Sequence, residues 1–427
     1  MWIHSLKHSL RSLVRLLACE LWARWLVLPA LSRNERSAPA LHAYVARRAR
    51  ALGIEAAPGA TRLMAPPAGA ALLTKAALLS DPARHVRARR PGSLIRNTIR
   101  TSGTSGSPLT LVQSLGAVVR EAGFLARQLR WIGWRPGGRR AWLRGDIVCC
   151  ARPADGRYWC RDWVGKRLML SSYHLSNATI GAYLAALEAY DPIVIQAYPS
   201  SMAALANWLN ARGARYRGQA LRGVLTSSET LEPEVRAAIV RAFGVAVFDW
   251  YGQAERVAAI GTCEHGRYHV LTDYGAVELV ARGQGMAELV ASGLNNAAMP
   301  LQRYCTADLV RPGDAARCPC GRVFPTVAAL VGRQERILTL PDGRIVARLD
   351  RVFQGFDGRL LEGQVLYHGA ARFTLRFVSS DAFTDVDAAA LRRQFLLRVP
   401  GVEVALQPTA AIPRGPNGKF EFVALAP

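Results

Sequence analysis

The chain has 427 residues, half of them hydrophobic, and a formal net charge of +24. That length suggests a large domain plus a small one, and the apolar content excludes an intrinsically disordered chain. Eight cysteines in a chain this long exclude a disulfide scaffold and favour a reducing, cytoplasmic compartment. The positive charge is scattered arginine without an aromatic-interleaved basic block, which argues against nucleic acid as a partner.

Near the start, Leu6, Leu10, Leu13, Leu16 and Leu17 lie at helical spacing, with Lys7, His8, Arg11 and Arg15 between them. Glu20 and Arg24 interrupt the later apolar run, so neither a spanning helix of about 20 apolar residues nor a secretory h-region fits. Residues 1–34 are predicted to be a basic amphipathic helix. It would either lie on an anionic membrane surface or pack on the main domain with its cations in solvent. Residues 38–100 are Ala- and Arg-rich and are expected to be helical, with turns at Ala65-Pro66-Pro67 and Asp81-Pro82.

Thr101-Ser102-Gly103-Thr104-Ser105-Gly106-Ser107-Pro108 follows an apolar run and precedes the strand-like Leu109–Val112. Glycines let successive N–H groups converge on an anion, and hydroxyls add donors, so the loop suits phosphate; a plain hairpin turn has the same composition. It lacks the lysine of a Walker P-loop. Beyond it, strands and helices alternate. Ser114 caps a predicted helix to Gly133, Arg140–Val148 reads as a strand, and Ser176 opens a helix through Ala189. Pro192–Ala197 is a strand, and Ser200 or Ser201 opens a helix to about Gly213. The strand 223–226, a helix from Thr230 or Pro233 to Gly244 and the strand Val245–Trp250 complete the series. Such alternation predicts βαβ units and a largely parallel sheet. Ser227-Ser228-Glu229 and Tyr251-Gly252-Gln253-Ala254-Glu255 then fall at carboxyl ends of strands, where ligands bind. A tyrosine there can stack on a base, and a carboxylate four residues on can take Mg²⁺.

The Thr101–Pro108 string resembles the phosphate loop of adenylate-forming enzymes, the superfamily of acyl-CoA ligases, luciferases and peptide-synthetase adenylation domains. Four further strings resemble that family in its order. Tyr251-Gly252-Gln253-Ala254-Glu255 is similar to its Tyr-Gly-x-x-Glu motif, which implies that Tyr251 and Gly252 line the adenine pocket and Glu255 binds magnesium. Asp249, Ser228 and Glu229 match segments lining the adenine. Arg303-Tyr304-Cys305-Thr306-Ala307-Asp308 is similar to the family's RYxTGD string, with Ala307 in place of Gly; the resemblance gives Asp308 the ribose hydroxyls. Val331-Gly332-Arg333 resembles the hinge, with Arg333 contacting nucleotide and the hinge carboxylate displaced to Glu335. Pro413–Phe420 resembles the C-terminal PxxxNGK string, whose lysine, here Lys419, reaches the carboxylate and α-phosphate.

The string Asp249–Arg256, followed by Cys263-Glu264-His265-Gly266-Arg267-Tyr268-His269, looks like the CapK-type group near phenylacetate–CoA ligases, linked to capsular or exopolysaccharide synthesis. Cys318-Pro319-Cys320 is a tight thiol pair, and Cys263 with His265 or His269 completes a Cys₃His set suited to structural zinc; His269 is favoured by its place in the string.

The resemblance implies an α/β fold: a large N-terminal domain of mostly parallel sheets flanked by helices, over 35–333, and a small mobile α+β lid over 334–427. It implies a ligase that converts a small carboxylic acid and ATP, with Mg²⁺, into an acyl-adenylate and then, with CoA, a thioester. Thr101–Gly106 would hold the leaving pyrophosphate, with Thr104, Glu255 and Lys419 as the catalytic groups. The competing expectation is a non-catalytic, membrane-surface component of a polysaccharide assembly machinery that keeps the nucleotide-binding fold.

Overall fold

A computed structural model describes the chain except residues 1, 55–60, 64–70, 89–92, 101–108, 147, 150–155, 173, 315, 334–337, 342–344, 347–348, 354–355, 357–358, 415–419 and 427. Its contacts divide into two compact units. One comprises Met1–Ser9, Gly137–Val247 and Gln334–Pro427; the other comprises Leu10–Pro136 and Phe248–Arg333. The fold is mixed α/β, with a large sheet flanked by helices and a smaller C-terminal α/β sheet.

In the first unit, strands Arg140–Arg144, Arg167–Ser171, Val194–Ala197 and Gly223–Ser227 run parallel. Trp159–Asp162 closes the edge antiparallel to Arg167–Ser171. Helices Ile180–Tyr190, Pro199–Asn210 and Pro233–Phe243 make the crossovers. Val194–Ala197 and Gly223–Ser227 are buried throughout, which is why they read as apolar runs rather than alternating ones. Helix Ile180–Tyr190 begins four residues after Ser176, because Ser176 and Thr179 first close a turn of their own: the Ser176 N–H donates to Thr179 Oγ1 at 3.0 Å. Gly244, at φ 68°, ends helix Pro233–Phe243 in the left-handed region that a side chain resists.

The C-terminal part of this unit is a four-stranded sheet in the order Glu403–Pro408, Arg372–Ser379, Leu360–Tyr367, Val423–Leu425. Helix Asp385–Arg398 opens with a capping box, in which Thr384 and Asp387 satisfy each other's backbone N–H. Its own core gathers Phe373, Leu375, Phe377, Leu391 and Phe395.

In the second unit the strands after residue 246 pair antiparallel: Ala246–Gly252 with Ala259–Thr262, then Tyr268–Val270, Thr326–Arg333, Tyr304–Pro312, Ala287–Gly293 and Gly275–Ala281. Most of the connections here are too short for crossover helices. The expected helical stretch 38–100 is helical only at Ala38–Leu52 and Lys75–Ser80, beyond one short 3₁₀ turn, among the described residues. It ends in strand Arg96–Arg100, paired with Thr110–Ser114. Ile99 and Leu111 face each other in that pairing, and the cross-strand apolar contact outweighs the helix propensity of the preceding alanines and arginines.

The chain is helical from Trp2 to Asn34, with π-type turns at Leu16–Glu20 and Ala23–Val27. A buried ion pair fixes its C-terminal end. Arg127, on helix Leu115–Trp131, donates to both carboxylate oxygens of Asp273 at 2.7 and 3.0 Å and to the Leu31 carbonyl at 3.2 Å. Asn34 adds a third donor to Asp273 at 3.1 Å. Both charges are fully buried, and a pair so placed leaves an unanswered charge if either side is removed.

Candidate functional site

In the second unit, Tyr251 is the penultimate residue of strand Ala246–Gly252. Its hydroxyl donates to Asp308 Oδ2 at 2.7 Å, across 57 residues of sequence. The Tyr304 hydroxyl donates to Glu255 Oε1 at 3.1 Å, across 49. Two tyrosines therefore join the string 251–255 to the string 303–308. Burial, and then the Asp308 carboxylate beside it, push the Tyr251 hydroxyl well above its ordinary value, so it remains a donor. The backbone bearing Glu255 passes close over two facing glycines. A Cβ on Gly275 would meet the Val257 carbonyl at 1.8 Å, and one on Gly293 the Arg256 carbonyl at 2.9 Å. Neither glycine was legible as a site residue, because the approach exists only between strands.

Ala307 stands where the related string has glycine, and its φ is +58°. Its N–H donates to Glu288 Oε1, and the Asp308 N–H to Thr306 Oγ1, both at 3.1 Å; this strained turn presents Asp308. Ala307→Gly is expected to stabilise the protein by roughly 0.5–1 kcal/mol, read as a higher denaturation midpoint. Arg333 is the cross-strand partner of Asp308 in register. Asp249 is buried: its N–H donates to Thr262 Oγ1 at 2.6 Å and its Oδ2 accepts from the Tyr268 hydroxyl at 3.1 Å.

In the first unit, Ser228 follows a buried strand at φ +73°. Its Oγ accepts from Arg144 Nη2 at 2.6 Å, and Arg144 lies over the rings of Trp142 and Tyr198 at 5.0 and 5.2 Å. No motif singles out Arg144, which is one arginine among many. Glu229 accepts from the Ser200 N–H at 3.0 Å and hydroxyl at 3.1 Å, capping the first turn of helix Pro199–Asn210, and from the Phe420 N–H at 2.7 Å. Thr101–Gly106, with Thr104, and Lys419 lie outside the described residues, as does the Arg333 side chain.

The cysteine set converges in the second unit. Ligand atoms of Cys263, His269, Cys318 and Cys320 all lie within 4.8 Å of one another. Cys263 and Cys318 sulfurs are 3.6 Å apart, and Cys320 Sγ is 3.3 Å from His269 Nε2. A tetrahedral zinc with ~2.3 Å Zn–S and ~2.0 Å Zn–N bonds needs S···S near ~3.8 Å and S···N near ~3.5 Å, so the donors fit. Two tight turns present the thiols: the Gly266 N–H returns to the Cys263 carbonyl at 2.9 Å, and the Gly321 N–H to the Cys318 carbonyl at 3.1 Å. His269 Nδ1 lies 3.3 Å from the Phe324 carbonyl. A carbonyl only accepts, so Nδ1 carries the proton and Nε2 offers its lone pair to the thiols. His265 is exposed and outside the set. Burial, foremost, brings the His269 ring down to about 4, so it is neutral at pH 7. Burial pushes the Cys263 thiol up to about 12. At Cys320 burial works the same way, but hydrogen bonds from Arg322 and Cys318 outweigh it and hold the thiol below its ordinary value.

No protein-family model matches the sequence. Over 92% of both chains the structure is similar to 2-hydroxyisobutyryl-CoA ligase in the postadenylation state with 2-HIB-AMP, at a TM-score of 0.64 and 18% identity. The fold is therefore that of this CoA ligase. By sequence, the relatives are CapK and the phenylacetate–CoA ligases. The chain is 19% identical to protein CapK of Staphylococcus aureus over 326 residues, 75% of this chain and 72% of that one. It is 25% identical to phenylacetate–coenzyme A ligase of Pseudomonas putida over 254 residues, 56% of this chain and 55% of that one. The match thus spans about half the length of the curated ligase.

Proposed function

We propose that this chain is an ATP-dependent carboxylate-activating ligase of the acid–thiol class. The observation that carries the reading is the pairing of Tyr251 with Asp308 and of Tyr304 with Glu255. It gathers an aromatic ring and two carboxylates from separate strings into one unit, as a nucleotide with a divalent cation requires. A carboxylate oxygen of the substrate attacks the α-phosphorus of ATP in line; the bond from that phosphorus to the bridging oxygen breaks and pyrophosphate leaves. Asp308 accepts from the ribose hydroxyls, Glu255 would hold magnesium, and Lys419 answers the negative charge that builds on the transferring group. A thiol, CoA in this reading, then attacks the acyl carbon, losing its proton as AMP departs. Residues 334–427 form the lid that carries Lys419. Zinc on Cys263, His269, Cys318 and Cys320 would be structural, because four protein donors leave no open position for a substrate. Similarity to CapK is what supports a role in capsular or exopolysaccharide synthesis.

The test is ATP–pyrophosphate exchange with a panel of aryl, fatty, hydroxy and amino acids. Exchange with one acid class establishes adenylation and identifies the substrate class. ATP binding without exchange for any class favours the non-catalytic scaffold.

A further inference from the structure

The first helix is turned the opposite way from an ordinary surface helix. Its polar residues Ser5, His8, Ser9 and Ser12 are buried, while Ile3, Leu6, Leu10, Leu13, Val14 and Leu17 are exposed. The cause lies in the strand it covers. Trp159–Asp162 is the edge of the parallel sheet, and an edge leaves alternate N–H groups unpaired. Ser5 Oγ accepts from the Arg161 N–H at 3.2 Å, and Ser9 Oγ from the Trp163 N–H at 3.0 Å. Two residues of strand advance about 6.6 Å and four of helix about 6 Å, so the serine spacing matches the edge. Satisfying that edge forces the apolar stripe outward.

At 100° per residue the exposed apolar residues occupy one face, and Lys7, Arg11 and Arg15, spaced by four, form a row along its border. Ile3 is 80% exposed, Leu10 60% and Trp25 79%. Trp22 and Leu26 are exposed further along the same helical run. No helix among the described residues is long and apolar enough to cross a membrane.

We propose that this outward face docks on an anionic lipid bilayer: the leucine stripe and tryptophans enter the headgroup boundary while Lys7, Arg11 and Arg15 meet lipid phosphates. Charge decides against a second copy as the occupant. Residues 1–19 contain no carboxylate, so two such faces would set cationic rows against each other with only Glu20, 3.5 Å from Arg15, to answer them.

The test is co-sedimentation of the full chain with phosphatidylcholine vesicles containing about a third phosphatidylglycerol, and with phosphatidylcholine alone. The expected result is binding to the anionic vesicles that weakens with salt. The triple variant Leu6→Ser, Leu10→Ser, Leu13→Ser should bind on the order of 100-fold more weakly. Lys7→Gln, Arg11→Gln, Arg15→Gln should lose about fivefold per charge together with the salt dependence. Both variants keep the serine contacts and should melt like the parent. Equal binding by parent and variants, or none by the parent, overturns the proposal. So does a dimer in light scattering that the leucine variant dissolves while vesicle binding is absent; that outcome would assign the face to a second copy.

Discussion

Lys419→Ala is expected to slow ATP–pyrophosphate exchange by about 10²–10³-fold while ATP binding, measured by calorimetry, stays within about twofold. A cation aimed at the transferring group acts where charge develops, so its loss falls on the chemical step rather than on ground-state binding. The next residue in sequence is already anchored in the first unit: the Phe420 N–H donates to Glu229 Oε1 at 2.7 Å, and Glu229 follows directly on Ser228 at the carboxyl end of a parallel strand. Arg414, within the same string, pairs with Glu362, whose carboxyl burial pushes above its ordinary value. Full exchange in the alanine variant would remove Lys419 from the mechanism.

Removing the metal set should unfold a larger part of the molecule. Cys318→Ser is expected to lose one equivalent of zinc by elemental analysis and to melt on the order of 10 °C lower, because metal-binding free energy at a closed site is folding free energy. The consequence reaches the nucleotide residues through the sheet. Cys263 follows strand Ala259–Thr262, His269 lies in Tyr268–Val270, and Ile260 is the cross-strand partner of Tyr251. Exchange activity should therefore fall with the metal, and restoring zinc to chelated parent protein should restore both. Protein purified without zinc that melts unchanged after chelation would refute a structural metal here.

The alternation of strands and helices from 140 to 250 was legible because buried parallel strands are continuous apolar runs, and glycine or proline marks the ends of their helices. The antiparallel half was less so. Strands such as Gly275–Ala281 and Ala287–Gly293 carry no turn signal that names their partners, and the close approach at Gly275 and Gly293 arises only once they pair. At residues 96–100 a propensity reading failed against a cross-strand contact with Leu111 and its neighbours.

By itself the sequence determined the five strings, their order and the cysteine–histidine set, since each is a local arrangement of side-chain chemistry that spacing preserves. Tertiary structure decided which of those residues meet. Only the folded chain joins Tyr251 to Asp308 and Tyr304 to Glu255, and it places the His269 ring, favoured by its position in the string, buried among the thiols while His265 stays exposed. The same holds for the first helix. Its amphipathic pattern was plain in the sequence, but which face turns outward goes with the serine hydroxyls that accept from the Arg161 and Trp163 N–H groups at a sheet edge more than 150 residues away.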